Sequence, residues 1–133
     1  MIKRVAFAGL LSLFATGALA EDFSISFTWD GLKSCTSGNP NRVGNPAFVV
    51  KGLPEGTQYV RFTMKDLDVR SYNHGGGVVK MSADGTVPSG AFKYKSPCPP
   101  NGVHTYEWTA VARTKKSGGT KLGVATAQRN YPE

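Results

Sequence analysis

The residues that could do chemistry sit in three short stretches. Asp66-Leu67-Asp68 supplies two carboxylates, and His74 follows in a glycine-rich run. His104-Thr105-Tyr106-Glu107-Trp108 supplies a second imidazole with a phenol two residues on. Carboxylates and imidazoles brought together have three uses. They ligate a cation, they pass protons in a hydrolysis, or the imidazolium holds an anion. Which use is open depends on whether the chain brings these stretches to one place, and that is a question about strands.

Side chains alternate along a β-strand. Val60, Phe62, Met64, Asp66 and Asp68 therefore share one face, apolar until it ends in the two acids. His104, Tyr106 and Trp108 share another, with Ala110 and Ala112 after them. If the two strands are antiparallel neighbours, both polar ends reach the same rim of the core. Two acids and His104 then meet at the mouth of an apolar cavity, where small-ligand sites are expected. Each residue also has an ordinary role open to it. The acids suit a strand-ending turn, His104 a core imidazole bonded to a carbonyl, Tyr106 and Trp108 plain packing, and His74 a solvated loop.

The rest of the chain supports strands. Phe23, Ile25, Phe27 and Trp29 alternate with Ser24, Ser26 and Thr28. Shorter strands are expected over 47–51, 78–81 and 91–95, and longer ones over 58–67 and 103–113. A return strand over 122–127 would complete a hairpin. Residues 34–46, 71–77 and 82–90 read as loops, the second because three consecutive glycines disfavour regular structure. No segment carries a sustained helical period, so the expectation is an all-β chain, an antiparallel sandwich or barrel-like fold.

Residues 1–20 read as a secretory signal peptide: Lys3 and Arg4, an apolar run, and an Ala-x-Ala ending before Glu21. The apolar run is too short to span a bilayer, and no later stretch is apolar enough to cross as a helix. Residues 21–133 form one domain. Removing Lys3 and Arg4 from the 16 basic residues leaves 14 against 9 acidic, a net charge of +5. That surface attracts anions, but its lysines and arginines are scattered, without the run expected of a nucleic-acid binder. An even count of two cysteines, Cys35 and Cys98, favours one disulfide in an exported chain.

Ser96-Pro97-Cys98-Pro99-Pro100-Asn101-Gly102-Val103-His104-Thr105-Tyr106 resembles the second signature of the phosphatidylethanolamine-binding protein family, a proline-rich turn leading into His-Arg-Tyr and a long strand. Asp66-Leu67-Asp68 is similar to the family's Asp-Pro-Asp, and residues 45–57 are similar to a strand and turn of its bacterial members. Cys35 falls where many of those members carry a cysteine. The resemblance covers roughly residues 35–112. It implies a compact antiparallel β-sandwich and a pocket for phosphate-like anions or phospholipid headgroups, lined by Asp66, Asp68, His74, Pro97, Pro99, His104 and Tyr106. The departures are Leu67 for the central proline, Gly75 for a tryptophan, Thr105 for the arginine and Ser96 for a glycine. The C-terminal helix and tyrosine of longer members have no counterpart, so the fold is expected to be truncated at the C-terminus.

These readings converge on an exported small binding protein, periplasmic or secreted, with a shallow pocket for an anion or headgroup. Prolines fix the backbone and make a stiff wall, and a Cys35–Cys98 bond would tie that wall to the preceding loop. The alternative is an inhibitor or other protein-binding module with a vestigial pocket. The chain lacks a Gly-x-Ser-x-Gly elbow, a His-Glu-x-x-His helix and a zinc-type Cys/His spacing. Binding without turnover, and without a cofactor or metal, is therefore the expectation.

Overall fold

The computed structural model describes Gly9 and residues 21–133; the signal peptide read at 1–20 otherwise lies outside the described residues. Among the described residues nine strands follow one another: β1 Ser24–Phe27, β2 Arg42–Gly44, β3 Phe48–Lys51, β4 Tyr59–Asp66, β5 Asn73–Lys80, β6 Gly85–Val87, β7 Lys93–Lys95, β8 His104–Arg113 and β9 Lys121–Tyr131. No helix occurs among the described residues. The strands make a four-stranded sheet in the order β5-β4-β8-β9, a three-stranded sheet in the order β1-β3-β6, and a short β2-β7 ribbon, all antiparallel.

The two larger sheets face each other through aromatic side chains. Phe48 of β3 stacks on Phe62 of β4 with ring centres 4.5 Å apart and meets Trp108 of β8 edge-on at 5.1 Å. All three are fully buried, and burial of such a side chain stabilises the fold by about 1.5–3 kcal/mol. The inward and outward alternation is regular along β4, where Val60, Phe62, Met64 and Asp66 are buried and the residues between them exposed. It is equally regular along β8, where Tyr106, Trp108, Ala110 and Ala112 are buried.

Strands β4 and β8 are antiparallel neighbours, with Met64 opposite Trp108 and Asp66 opposite Tyr106. Strand β9 continues beyond the expected 122–127 to Tyr131, pairing His104 with Tyr131 at its far end. The short strands β2 and β6 fall inside stretches expected to be loops; they are three-residue edge pieces whose turn-rich composition hides them.

The expectation of a loop over 71–77 is corrected. Residues 73–77 form the first half of β5, glycines included. The partner strand explains the composition. A Cβ on Gly76 would overlap the Phe62 carbonyl, and one on Gly77 would strike the Phe92 ring. Close backbone approach thus demands glycine within a strand, a use that composition alone does not separate from a loop. Gly75 has φ of +75° and sits where the β4–β5 register slips. Thr63 pairs with Gly76 but Lys65 pairs with Asn73, so β5 carries one extra residue, a β-bulge.

Candidate functional site

The bulge decides where His74 points. Gly77 lies opposite the buried Phe62, so it faces the core. Strict alternation back from Gly77 would turn His74 outward. The extra residue reverses the parity, and His74 is only 2% exposed. Its ring meets Tyr106 edge-on at 5.5 Å. Its Nδ1 lies 2.7 Å from the Lys95 carbonyl oxygen. A carbonyl only accepts, so Nδ1–H donates and Nε2 keeps the lone pair. Burial lowers the His74 pKa below its ordinary value, against the opposing pull of the Lys95 carbonyl and the Asp66 charge.

Asp66 ends β4 on the inward face and is 5% exposed. A buried carboxylate needs donors, and three are supplied. Oδ1 accepts the backbone N–H groups of Asp68 at 2.8 Å and Val69 at 3.2 Å. Oδ2 lies 2.7 Å from Nδ1 of His104, an ion-pair geometry when the imidazole is charged. The first two bonds wrap the chain tightly around Asp66 as it leaves the strand. The third fixes the His104 ring, leaving Nε2 as its second nitrogen.

Tyr106, opposite Asp66, is 1% exposed. Burial pushes its phenol well above the ordinary value, and the negative charges of Asp66 and Asp68 act in the same direction. The phenol therefore stays protonated and can serve as a donor. Its ring lies 6.3 Å from that of His104.

These side chains line a cavity of about 210 Å³. Asp66, His74, His104 and Tyr106 provide the polar part of its lining, with Val69 and Tyr72 on the side of the β4–β5 turn and Cys98, Pro99 and Pro100 opposite. The Cys35–Cys98 disulfide is formed, with the two Cα atoms 4.7 Å apart. Ser96 holds the same wall from behind: its N–H donates to the Asn41 carbonyl and its Oγ accepts the Asn41 N–H.

Of the seven residues expected at the site, five line the cavity: Asp66, His74, Pro99, His104 and Tyr106. Asp68 and Pro97 do not. Asp68 is exposed, because the chain turns after Asp66 and ends the alternation; its Oδ2 accepts the Thr105 N–H at 2.8 Å. Pro97 is fully buried and backs the wall. Gly38, Pro40, Val69 and Tyr72 join the lining without having been singled out from sequence. An aromatic residue within a polar run was the available signal for Tyr72.

Ligand atoms of Asp66, Asp68 and His104 lie within 4.8 Å of one another, close enough to consider a cation. The carboxylates are already engaged, however, with Asp66 holding three donors and Asp68 one. A cation would compete with those bonds for the carboxylate oxygens. As folded, the group is arranged to orient His104.

No known protein-family pattern matches the chain, and no curated protein matches it. Among solved structures, it is similar to that of E. coli YbcL, described as a new member of the mammalian PEBP family. The match has a TM-score of 0.61 and 16% sequence identity, covering 84% of this chain and 98% of the other. The two-sheet architecture that brings Asp66 to His104 is thus the fold of the phosphatidylethanolamine-binding protein family.

Proposed function

We propose that this is an exported small binding protein whose cavity holds a phosphate-like anion, as free phosphate or as a phospholipid headgroup, and that it does so without catalysing turnover. The observation that carries the reading is the mixed set of hydrogen-bonding groups at an open cavity. Tyr106 offers an O–H donor, and His104 offers Nε2 from a ring anchored on Asp66. Neutral His74 offers an acceptor. A monoanionic phosphate accepts from the phenol and donates its own O–H to the lone pair on His104 Nε2. An ammonium group of a zwitterionic headgroup donates to the His74 lone pair.

The volume sets the scale. About 210 Å³ is below the ~300–1,000 Å³ usual for drug-sized ligands, so a headgroup fits the cavity better than a whole lipid. Asp66 already accepts three hydrogen bonds, one of them from the His104 ring, so its role in this reading is to orient His104. The leader sequence and the formed disulfide favour an oxidising compartment, periplasmic or extracellular.

Calorimetric titration with phosphate and with phosphoethanolamine tests this. Binding heats are expected for the wild type, with affinity at least ~10-fold weaker in His104→Ala, about 1.4 kcal/mol. Absent heats, or heats unchanged by His104→Ala, would end the reading.

A further inference from the structure

We propose that a second cavity, beside the β2–β7 ribbon, binds a small aliphatic ammonium group, with Asp30, Tyr94 and Ser89 accepting its three N–H bonds. The cavity holds about 290 Å³ and shares no lining residue with the His104 site. Its walls come from the turn after β1, the turn after β2, Ser89-Gly90 and Tyr94 of β7.

Tyr94 is the residue left without a partner. It is 3% exposed, and its ring meets Trp108 edge-on at 4.8 Å. Its hydroxyl has no hydrogen-bond partner among the described residues, although it stands in the field of Asp30. Burial pushes the phenol above its ordinary value, and the Tyr131 phenol and the Asp30 charge act in the same direction. A buried hydroxyl without a partner is unfavourable, and the cavity is the space from which a partner reaches it.

The surrounding polar groups are fixed. Asn45 is 1% exposed; its Nδ2 donates to the Pro46 and Pro88 carbonyls, and its Oδ1 accepts the Phe92 N–H. The Trp29 indole N–H donates to the Asn130 carbonyl at 2.8 Å, so its ring offers an apolar surface beside Leu32 and Pro46. The Asp30 carboxylate is held in place, Oδ1 accepting from Thr28 Oγ1 at 2.8 Å and Oδ2 from the Ala47 N–H at 2.6 Å. Each oxygen keeps a further acceptor site.

Charge then selects the ligand. Asp30 is the one charged residue in this lining, and it belongs to neither ion pair among the described residues. Lys93, next to Tyr94, alternates to the exposed side of the ribbon. An anion is repelled here, and a neutral ligand leaves the carboxylate uncompensated. A hard metal ion would find a single carboxylate among apolar side chains, too few oxygens for its shell. A primary ammonium carries three donors. They match Asp30, the Tyr94 oxygen and the Ser89 hydroxyl at the exposed rim, while the alkyl chain lies against Trp29 and Leu32. A free amine and a lysine side chain both present that group.

Amide-resolved NMR titration of the wild type with butylamine, with Nα-acetyl-lysine methylamide and with butanol tests the proposal. The amines are expected to give saturable shifts at Leu32, Gly44 and Gly90 and none at Val69, Tyr72 or His104; butanol is expected to give none at either place. Asp30→Asn tolerates the φ of +52° that Asp30 adopts and is expected to weaken amine binding about tenfold. Tyr94→Phe is expected to weaken it about threefold, with a melting temperature no lower than that of the wild type, since the hydroxyl it removes has no partner in the chain. Shifts from butylamine alone identify a free amine as the ligand, and shifts from the lysine derivative alone identify a polypeptide; both outcomes keep the site. No shift from either amine, equal shifts from butanol, amine shifts that persist in Asp30→Asn, or amine shifts centred on His104 would overturn it. A lowered melting temperature in Tyr94→Phe with amine binding intact would make the hydroxyl structural and overturn it as well.

Discussion

On one side of the cavity Pro97 and Pro99 are fully buried, Cys98 is bonded to Cys35, and Ser96 makes two hydrogen bonds to the Asn41 backbone. On the other side Val69 and Tyr72 are exposed, and the chain is gathered around a single carboxylate. The first wall is covalent and pre-set: proline dihedrals and a disulfide limit the unfolded chain as well as the folded one. The second is held by hydrogen bonds alone, three of them to the Asp66 carboxylate. Damage to the first wall should therefore appear mainly as lost stability. Damage to the second should reach the ligand, because Asp66 also positions His104.

The largest effect is expected from cutting the rigid wall. Closing a loop of 63 residues is worth about 4 kcal/mol in the chain-entropy model, so Cys35→Ser/Cys98→Ser should lose about that much in urea unfolding. Asp66→Ala should cost about 3 kcal/mol, since it strands His104 and two backbone N–H groups. It should also weaken phosphate binding, whereas Asp66→Asn, which keeps an acceptor for the N–H groups, should recover much of the stability. Equal losses for Ala and Asn would contradict the geometry described.

A smaller effect belongs to His74, between the walls. Its folded pKa lies below the ordinary 6.5, so the unfolded chain binds the proton more readily. Its contribution is therefore complete above pH 6.5 and declines as pH falls, by at most ~1.4 kcal/mol per pH unit until the folded group titrates. The difference in pH dependence between wild type and His74→Gln isolates it. A wild-type curve no steeper than the variant's between pH 5 and 6.5 would refute the assignment. The smallest change is expected at the tip of the second wall, where Val69→Ser should move stability by no more than ~0.5 kcal/mol.

Sequence parity was enough to bring Asp66 to His104, because β4 and β8 are regular strands with clean alternation and neighbouring places in one sheet. It failed at Asp68, where the turn around Asp66 breaks the two-residue period. The first half of β5 was hidden for a different reason. Its glycines answer to the Phe62 carbonyl and the Phe92 ring, which are distant in sequence and become neighbours only in the folded sheet. The inward turn of His74 followed from the same bulge and was equally unreadable. Tyr72 was overlooked because a lone aromatic in a polar run carries no period.

The tight fit of Gly76 over Phe62 has a genetic corollary. Every one of the nineteen possible replacements brings at least a β-carbon, so this codon has no conservative exit. A saturation library selected for folded protein should show an almost empty column at Gly76, flanked by tolerant positions at the exposed Ser71 and Lys80.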